Sequence, residues 1–154
     1  MTGPDRATPL VTDLTRPFWD AANEGVLAIQ RCTDCRSFNH PPRLACDRCL
    51  SDELAFEPVS GLGTVWSFTV THQKSVAGFE ASVPYVTALV ELDEQPLLLL
   101  TTNFPGAAGR SVRIGQRVSV TFERVESPGG GFVLPQFVLA AETPGVAPAA
   151  GRPS

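Results

Sequence analysis

The first strong pattern along the chain is helical and lies near the amino end. Phe18, Trp19 and Ala22 fall on one face of the segment Thr15–Gly25, which predicts a short helix that Thr15 caps and Gly25 ends. Core packing is the ordinary use of such a face. Docking of the aromatic pair on a partner protein is the alternative.

Strand-like patterns follow over most of the remaining chain. Runs rich in Val, Thr, Phe and Leu alternate with turns of Gly, Pro or charged residues, which predicts β-strands. A short strand, Val26–Gln30, leads into a cysteine cluster, and five strands after it predict a small closed barrel or a sandwich. These five strands are Thr64–His72, Tyr85–Leu92, Leu97–Thr102, Val118–Arg124 and Phe132–Leu139.

The composition supports this mainly β interpretation. The 154 residues include 14 Pro and 13 Gly, an excess of turn formers that disfavours a helical bundle. A hydrophobic content of 43% with 18% charged residues is compatible with a folded core. The net charge of −4 argues against a nucleic-acid binder, although small barrels also serve that purpose in other proteins.

The sequence shows no pattern typical of a membrane or targeting segment. The longest aliphatic run, Leu97–Leu100, is far shorter than the roughly 18 residues that a membrane span needs. The amino end lacks a basic region followed by an apolar one, so we expect no signal peptide and a cytoplasmic location.

The four cysteines form the strongest chemical signal. Two residues separate Cys32 from Cys35 and Cys46 from Cys49, and ten residues lie between the pairs. Two such turns can bring four thiolates together on one ion, and zinc accepts four sulfurs. Iron in a rubredoxin-like site and disulfide bonds are the alternatives. Because protein would fill all four ligand positions, we expect one structural zinc per chain.

Motifs for catalysis are missing from the sequence. It has no glycine-rich phosphate loop, nucleophile elbow or zinc-protease motif, and metal binding would use every cysteine. His40 lies between the cysteine pairs and is interpreted as a loop residue rather than a ligand. We expect no catalytic residue in this chain, and a general base at His72 is the alternative.

A loop between the first two barrel strands is a candidate ligand-binding segment. The segment 73–84 carries Lys74 and Phe79 and leads into Tyr85, so it could close over a ligand at one end of a small barrel. His72 precedes this loop directly. These side chains are therefore predicted to lie near a binding site.

Three arginines near a glycine-rich turn form a further candidate. Arg110, Arg113 and Arg117 could hold phosphate groups through their guanidinium groups. A solvated edge that keeps barrel strands apart is the competing interpretation.

A set of short segments occurs in a characteristic order along the chain. After the helix come Cys32-x2-Cys35, Pro41-Pro42-Arg43, Cys46-x2-Cys49, Val59–Val65, Ser67–His72, Pro84-Tyr85, Val90–Asp93 and Ile114–Val118. In this order they resemble the DUF35 family over roughly residues 15–139. Two departures are Arg36, where glycine often follows the second cysteine, and the segment 103–105, where small residues are usual.

The resemblance implies a mainly β fold in which an N-terminal helix and a rubredoxin-like zinc ribbon precede a five-stranded OB-fold barrel. On this basis we divide the chain into four parts. They are a disordered lead (1–12), the helix and zinc ribbon (13–57), the OB-fold domain (58–139) and a disordered tail (140–154).

The resemblance also implies a function through a partner enzyme. Family members act beside thiolases, thiolase-like aldolases of sterol side chains and MaoC-type hydratases, and the partner carries the catalytic residues. We expect a non-catalytic subunit that binds a thiolase-like partner and helps to enclose acyl-CoA. Association with a MaoC-type enoyl-CoA hydratase and a stand-alone acyl-CoA-binding module are the alternatives. The expected substrate- or partner-binding residues are Phe18, Trp19, His72, Lys74, Phe79 and Tyr85.

Overall fold

The computed structural model describes residues 6–106, 112–127 and 130–140 of the chain. Nearly all of the predicted tail and the first five residues of the predicted lead lie outside these ranges. No helix within the ranges has the length and apolar character to cross a membrane. The elements are α1 (Arg16–Asn23), β1 (Ala28–Cys32), β2 (Phe38–Asn39), β3 (Leu54–Pro58), β4 (Leu62–Thr71), β5 (Tyr85–Leu92), β6 (Leu99–Asn103), β7 (Arg117–Val125) and β8 (Phe132–Leu139).

Helix α1 lies where the sequence predicts, but its start is built differently. Gly25 ends the helix as expected, with a left-handed φ of 75° and an N–H that donates to the Ala22 carbonyl at 3.0 Å. Thr15 occupies the N-cap position without a side-chain cap hydrogen bond. Its Oγ1 instead accepts the N–H of Thr12 at 3.0 Å. The predicted N-cap residue is therefore correct, but its side chain makes no capping hydrogen bond.

The strands form two antiparallel sheets. One has the order β2-β1-β3 and the other β6-β5-β4-β7-β8. A bulge between Val65 and Ser67 shifts the register of β4 against β5, as bulges do where a sheet must bend. The edge strands β6 and β8 lie close together, but no hydrogen-bonded ladder joins these two strands. The mainly β prediction is confirmed, while packing rather than a continuous ladder completes the barrel.

Alternation along β5 places the barrel core. Every second residue from Val86 to Leu92 is buried, and the residues between them are partly exposed. Leu27, just before β1, and Ile29, within it, belong to the same buried cluster. The ribbon and the barrel therefore share one apolar core. Its other buried members include Val65, Leu98, Leu100, Phe104, Val112, Val118 and Phe137.

Polar contacts also join the ribbon to the barrel. Gln95, in the turn between β5 and β6, uses both ends of its amide on β2. Its Oε1 accepts the N–H of Phe38 at 2.8 Å, and its Nε2 donates to the Phe38 carbonyl at 3.2 Å. The N–H of Val59 donates to the Leu27 carbonyl at 2.9 Å. These bonds set the orientation of the ribbon on the barrel.

Candidate functional site

Two backbone knuckles carry the cysteines. The N–H of Arg36 donates to the Cys32 carbonyl at 3.0 Å, and the N–H of Leu50 donates to the Cys46 carbonyl at 2.9 Å. Arg36 and Leu50 both have a φ of 64°, the left-handed conformation that glycine usually supplies. Arg36 thus adopts the knuckle turn despite its side chain. The two knuckles are built alike, and they face each other.

The four sulfurs fit a tetrahedral ion. All four Sγ atoms lie within 4.8 Å of one another. The Cys32–Cys49 and Cys35–Cys46 sulfur pairs are each 3.6 Å apart. Four sulfurs at about 2.3 Å from a zinc ion would be separated by about 3.8 Å. The residues present therefore fit zinc, and four thiolates leave no position for a catalytic water.

Hydrogen bonds favour the thiolate form of two of these cysteines. The side chain and backbone of Ser37 lower the pKa of Cys35 to about 6. The backbone N–H groups of Cys49 and Arg48 lower the pKa of Cys46, and the Arg48 nitrogen is 3.4 Å from Cys46 Sγ. Thiolates are the form that binds metal, so the knuckle backbone prepares the site for a cation.

Cys49 holds its proton most strongly. The Ser51 backbone N–H lowers its pKa, but hydrogen bonding with Cys35 and desolvation outweigh this and raise the pKa to about 12. Four thiolates in so small a volume repel one another unless a cation neutralises them. Zinc binding therefore releases protons, and it ties the folding of the ribbon to the metal.

His40 lies outside the sulfur cluster. Its ring centroid is 5.9 Å from that of Phe18, against which it packs. Burial lowers the pKa of His40 to about 4, so the imidazole is neutral at physiological pH. This geometry supports the interpretation of His40 as a packing residue rather than a ligand.

A first cavity of about 260 Å³ lies between α1, the ribbon and the barrel. Phe18 and Trp19, both half-buried, form one wall, with their rings in an edge-to-face arrangement 5.1 Å apart. Trp19 also meets Phe132 edge-on at 6.5 Å. The structure thus places the predicted aromatic pair at an open apolar cleft, which we call the helix cleft. Its other walls include His40, Pro41, Pro42, Leu100, Leu134 and Pro135.

A second cavity of about 440 Å³ lies at one end of the barrel, and we call it the barrel pocket. Phe79 and Tyr85 line it with ring centroids 4.8 Å apart, so two of the predicted residues meet here. Its polar lining residues include Glu123, which accepts hydrogen bonds from Gln136 Nε2 and Arg6 Nη1. Apolar walls around a few polar atoms are typical of a small-molecule site.

His72 and Lys74 do not join these residues. Both are exposed, directly after β4, and neither is part of the described walls of the barrel pocket. The structure therefore separates the six candidates into Phe18 with Trp19, Phe79 with Tyr85, and two solvent-facing side chains. Roles for His72 and Lys74 stay predictions.

Of the three candidate arginines, Arg117 pairs with an acidic residue. Arg117 donates to Asp93 through both terminal nitrogens, with Nη1 at 2.7 Å from Oδ1, and Nη1 also donates to Thr64. The Arg117 guanidinium lowers the pKa of Asp93. This pairing favours a structural edge over a phosphate site, and Arg110 lies outside the described residues.

Sequence interpretation missed the polar groups of the barrel pocket. Gln136 is only 2% exposed in the middle of an apolar strand, and a buried glutamine there is a signal that a polar partner lies nearby. Arg6 gave no such signal, because it falls in a short polar segment that was predicted to be disordered. In the structure, residues 6–12 contact the barrel and the start of α1.

These features define a class of protein, a rubredoxin-like zinc ribbon joined to an OB-fold. A family model described as the rubredoxin-like zinc ribbon domain of ChsH2 matches residues 19–55. A second, described as the C-terminal OB-fold domain of ChsH2, matches residues 56–123. The predicted ribbon and OB-fold are confirmed, and the ribbon has one structural zinc, which the cluster of Cys32, Cys35, Cys46 and Cys49 fits.

The chain belongs to the DUF35 family, as the motif order predicts. A DUF35 domain-containing scaffold protein of Methanocaldococcus jannaschii is 31% identical over 106 residues, covering 68% of this chain and 72% of the relative. A chain of the solved structure named Ltp2-ChsH2(DUF35) aldolase is similar with a TM-score of 0.76 and 34% identity. That match covers 87% of this chain and 100% of the other.

Longer relatives are similar over part of their length. A protein of Thermomonospora curvata named probable enoyl-CoA hydratase alpha subunit is 40% identical over 102 residues, which is 66% of this chain and 31% of the relative. The chain spans about a third of the length of the first curated relatives that it matches.

Proposed function

We propose that this chain is a non-catalytic accessory subunit of an acyl-CoA-processing complex. It binds a thiolase-like partner, a thiolase or a retro-aldolase of sterol side chains, and helps to enclose the acyl-CoA substrate. The observation that carries this proposal is the similarity over the whole length of the DUF35 chain in a structure named as an aldolase. A cytoplasmic location goes with this role.

The chemistry of the described residues supports a binding rather than a catalytic role. All four metal ligands come from cysteine, so the zinc maintains the ribbon and has no open position. Glu123 is the one carboxylate among the described residues that line the barrel pocket, and it is already bonded to Arg6 and Gln136. Reacting groups are then left to the partner.

The helix cleft and the barrel pocket differ in their lining residues, and we assign a different binding role to each. The helix cleft, between the ribbon part (13–57) and the barrel, presents Phe18 and Trp19, the kind of aromatic residues that dominate protein interfaces. The barrel pocket, in the OB-fold part (58–139), presents Phe79 and Tyr85 to an apolar ligand. We assign the first to the partner and the second to the acyl group, with His72 and Lys74 at the exposed rim of the loop.

Co-expression with a thiolase-like protein encoded next to this chain tests the proposal. Size-exclusion chromatography is expected to show a single complex, and Trp19→Ala is expected to weaken it. The matched control is Trp66→Ala, because Trp66 is 46% exposed on the β4 bulge, away from the helix cleft. Independent elution of the two wild-type proteins at micromolar concentration would refute the partner assignment.

A hydratase partner is the second candidate, because two relatives are named as hydratase alpha subunits. The same chromatography with a MaoC-type hydratase in place of the thiolase-like protein distinguishes the two. A stand-alone acyl-CoA-binding module is the third. Calorimetry of the isolated chain with CoA esters tests it, and the absence of heat at high ligand concentration would exclude it.

A further inference from the structure

The segment Arg6–Thr8, which we call the strap, lies at the barrel pocket, and Arg6 lines the pocket wall. Arg6 Nη1 donates to Glu123 Oε2 on β7 at 2.8 Å. The Arg6 guanidinium carbon also lies 4.7 Å from the centre of the Phe79 ring, in cation–π geometry. One side chain therefore contacts the barrel wall and the loop 73–84 at once.

The backbones of the strap and the loop are in direct contact. Gly78 has a φ of 82°, and a Cβ at this position would lie 2.9 Å from the Arg6 Cα and nitrogen. Thr8 Oγ1 lies 2.9 Å from Ser127 Oγ, just beyond β7. The strap is thus held on one side by the loop and on the other by the region around β7.

Few other contacts hold the loop in place. Residues 73–77 are exposed, and Phe79 of the loop packs on Tyr85 at the start of β5. Segments with few buried contacts open at low free-energy cost. The Arg6 contacts are therefore a large share of what keeps this loop against the pocket.

Release of Arg6 would leave no buried charge without a partner. Glu123 keeps its hydrogen bond from Gln136 Nε2, and Gln136 is held in place by its burial in β8. The Arg6 side chain is partly exposed and can return to water. Separation of Arg6 from Glu123 therefore costs less free energy than separation of a buried ion pair, which would leave a buried charge without a partner.

We propose that Arg6 is a latch on the barrel pocket. When the Arg6–Glu123 pair opens, the loop 73–84 moves away and the pocket widens to admit a ligand; when the pair forms, the loop is held against the pocket. The proposal concerns movement of this chain alone. It holds or fails independently of whether the ligand is an acyl-CoA.

Hydrogen exchange on the full zinc-loaded chain tests the latch. The amides of Phe79 and Ser82 donate to the Val76 and Phe79 carbonyls in turns of the loop. An opened loop loses the barrel contacts that stabilise these turns, so exchange at the two amides rises when the loop opens. In Arg6→Ala we expect these amides to exchange about tenfold faster, while β5 and β7 amides keep their wild-type rates. Added salt should speed loop exchange in the wild type but not in Arg6→Ala.

A second variant and a control complete the test. Glu123→Gln, which removes the other charge, should reproduce the faster loop exchange and the loss of salt dependence. Arg124→Ala is the control, because Arg124 follows Glu123 on β7, is exposed, and pairs with Glu126 at 2.8 Å rather than with Arg6 or the loop. Unchanged loop exchange in both latch variants overturns the proposal, and so does faster exchange throughout the barrel, which would make Arg6 a general stabilising residue.

Discussion

At the scale of single residues, the zinc knuckles depend on a backbone conformation that side chains disfavour. Arg36 and Leu50 both have a φ of 64°. An L-residue pays about 1–2 kcal/mol for this region, whereas glycine adopts it freely. Each knuckle offsets the cost with a hydrogen bond to the carbonyl of the first cysteine of its pair.

Substitutions at Leu50 should reveal that cost. Leu50→Val is expected to destabilise the protein by about 1–2 kcal/mol, because a β-branched side chain fits the left-handed region poorly. Leu50→Gly is expected to be neutral or to stabilise by up to about 1 kcal/mol. Leu50 is 80% exposed, so lost packing does not contribute. Thermal unfolding of the zinc-loaded variants checks this, and equal midpoints for Val and Gly would contradict it.

Removing one metal ligand should remove the metal. Cys35→Ser is expected to lose zinc and unfold the ribbon, because three thiolates bind the ion more weakly and the ribbon has little core of its own. Metal analysis after dialysis should find one zinc per chain in the wild type and close to none in the variant. Thr33→Ser, in the same knuckle, should retain it. Full zinc stoichiometry in Cys35→Ser would disprove the assignment.

His40 should make stability depend on pH. Burial lowers its folded pKa to about 4, so between about 6.5 and 4 the unfolded chain binds a proton that the folded chain does not. Stability is therefore full above about pH 6.5 and falls as the pH is lowered, by about 1 kcal/mol between pH 7.5 and 5.5. His40→Gln should remove the part of the pH dependence of stability that comes from protonation of His40.

Urea unfolding at several pH values, with zinc in excess, measures that dependence. His72→Gln is the matched control, because His72 is exposed and its replacement should keep the wild-type profile. Parallel profiles for His40→Gln and the wild type would show that the buried imidazole does not control stability in this range.

At the scale of elements, the turn between β5 and β6 connects the ribbon to the barrel. Gln95 makes two hydrogen bonds to the backbone of Phe38 in the two-residue strand β2. So short a strand has few bonds of its own, so a side chain from the barrel completes its pairing. The ribbon thus depends on the barrel for local order.

Gln95→Ala should loosen that connection. We expect a loss of about 1–2 kcal/mol of stability, because the Phe38 N–H and carbonyl lose their partner. In this variant, hydrogen exchange at the Phe38 amide should become faster than in the wild type, while exchange at β7 amides should keep its wild-type rate. Gln73→Ala, in the exposed loop, should change neither quantity. An unchanged Phe38 amide would show that β2 holds its place without Gln95.

Elements governed by local chemistry could be predicted from the sequence. The predicted strands Tyr85–Leu92 and Phe132–Leu139 coincide with β5 and β8, because alternation and flanking turns are local signals. The predicted strand Val26–Gln30 overlaps β1 but begins and ends two residues too early, because pairing with β3 extends the strand to Cys32. The β4 bulge and the meeting of β6 with β8 depend on distant residues, so no local pattern predicts them.

The same division applies to the candidate sites. Cysteine spacing alone predicts the metal ligands, because each pair forms its own turn. The contact between Arg6 and Glu123 joins residues 117 positions apart, and only the folded chain brings them together. The pairing of Phe79 with Tyr85 falls between these cases, since a loop and the strand that follows it are near neighbours.

At the scale of the whole molecule, the ribbon and the barrel fold on one core. Leu27 and Ile29 are 2% and 0% exposed, and they pack among the buried residues of the barrel. Burial of each contributes about 1.5–3 kcal/mol, a large share of the stability that a domain of this size has. The boundary between the parts 13–57 and 58–139 therefore separates two sequence motifs, but both motifs contribute to one cooperative core.

A fragment comprising residues 60–140 should not fold by itself. Without Leu27 and Ile29, we expect its unfolding in urea to be non-cooperative and its apolar surface to bind an environment-sensitive dye. A fragment comprising residues 13–140, with zinc, should unfold in one transition. A sharp transition in the shorter fragment, at the midpoint of the longer one, would show that the barrel is autonomous.

The position of Leu27 and Ile29 has a thermodynamic consequence. A few residues after these core positions the same segment supplies the ligand Cys32, so metal occupancy and barrel order are linked quantities. Linkage is reciprocal. If bound zinc raises the affinity of the barrel for a ligand by some factor, that ligand raises the affinity of the ribbon for zinc by the same factor. The ion is then an effector of the barrel, and a competition titration for zinc would read out barrel occupancy.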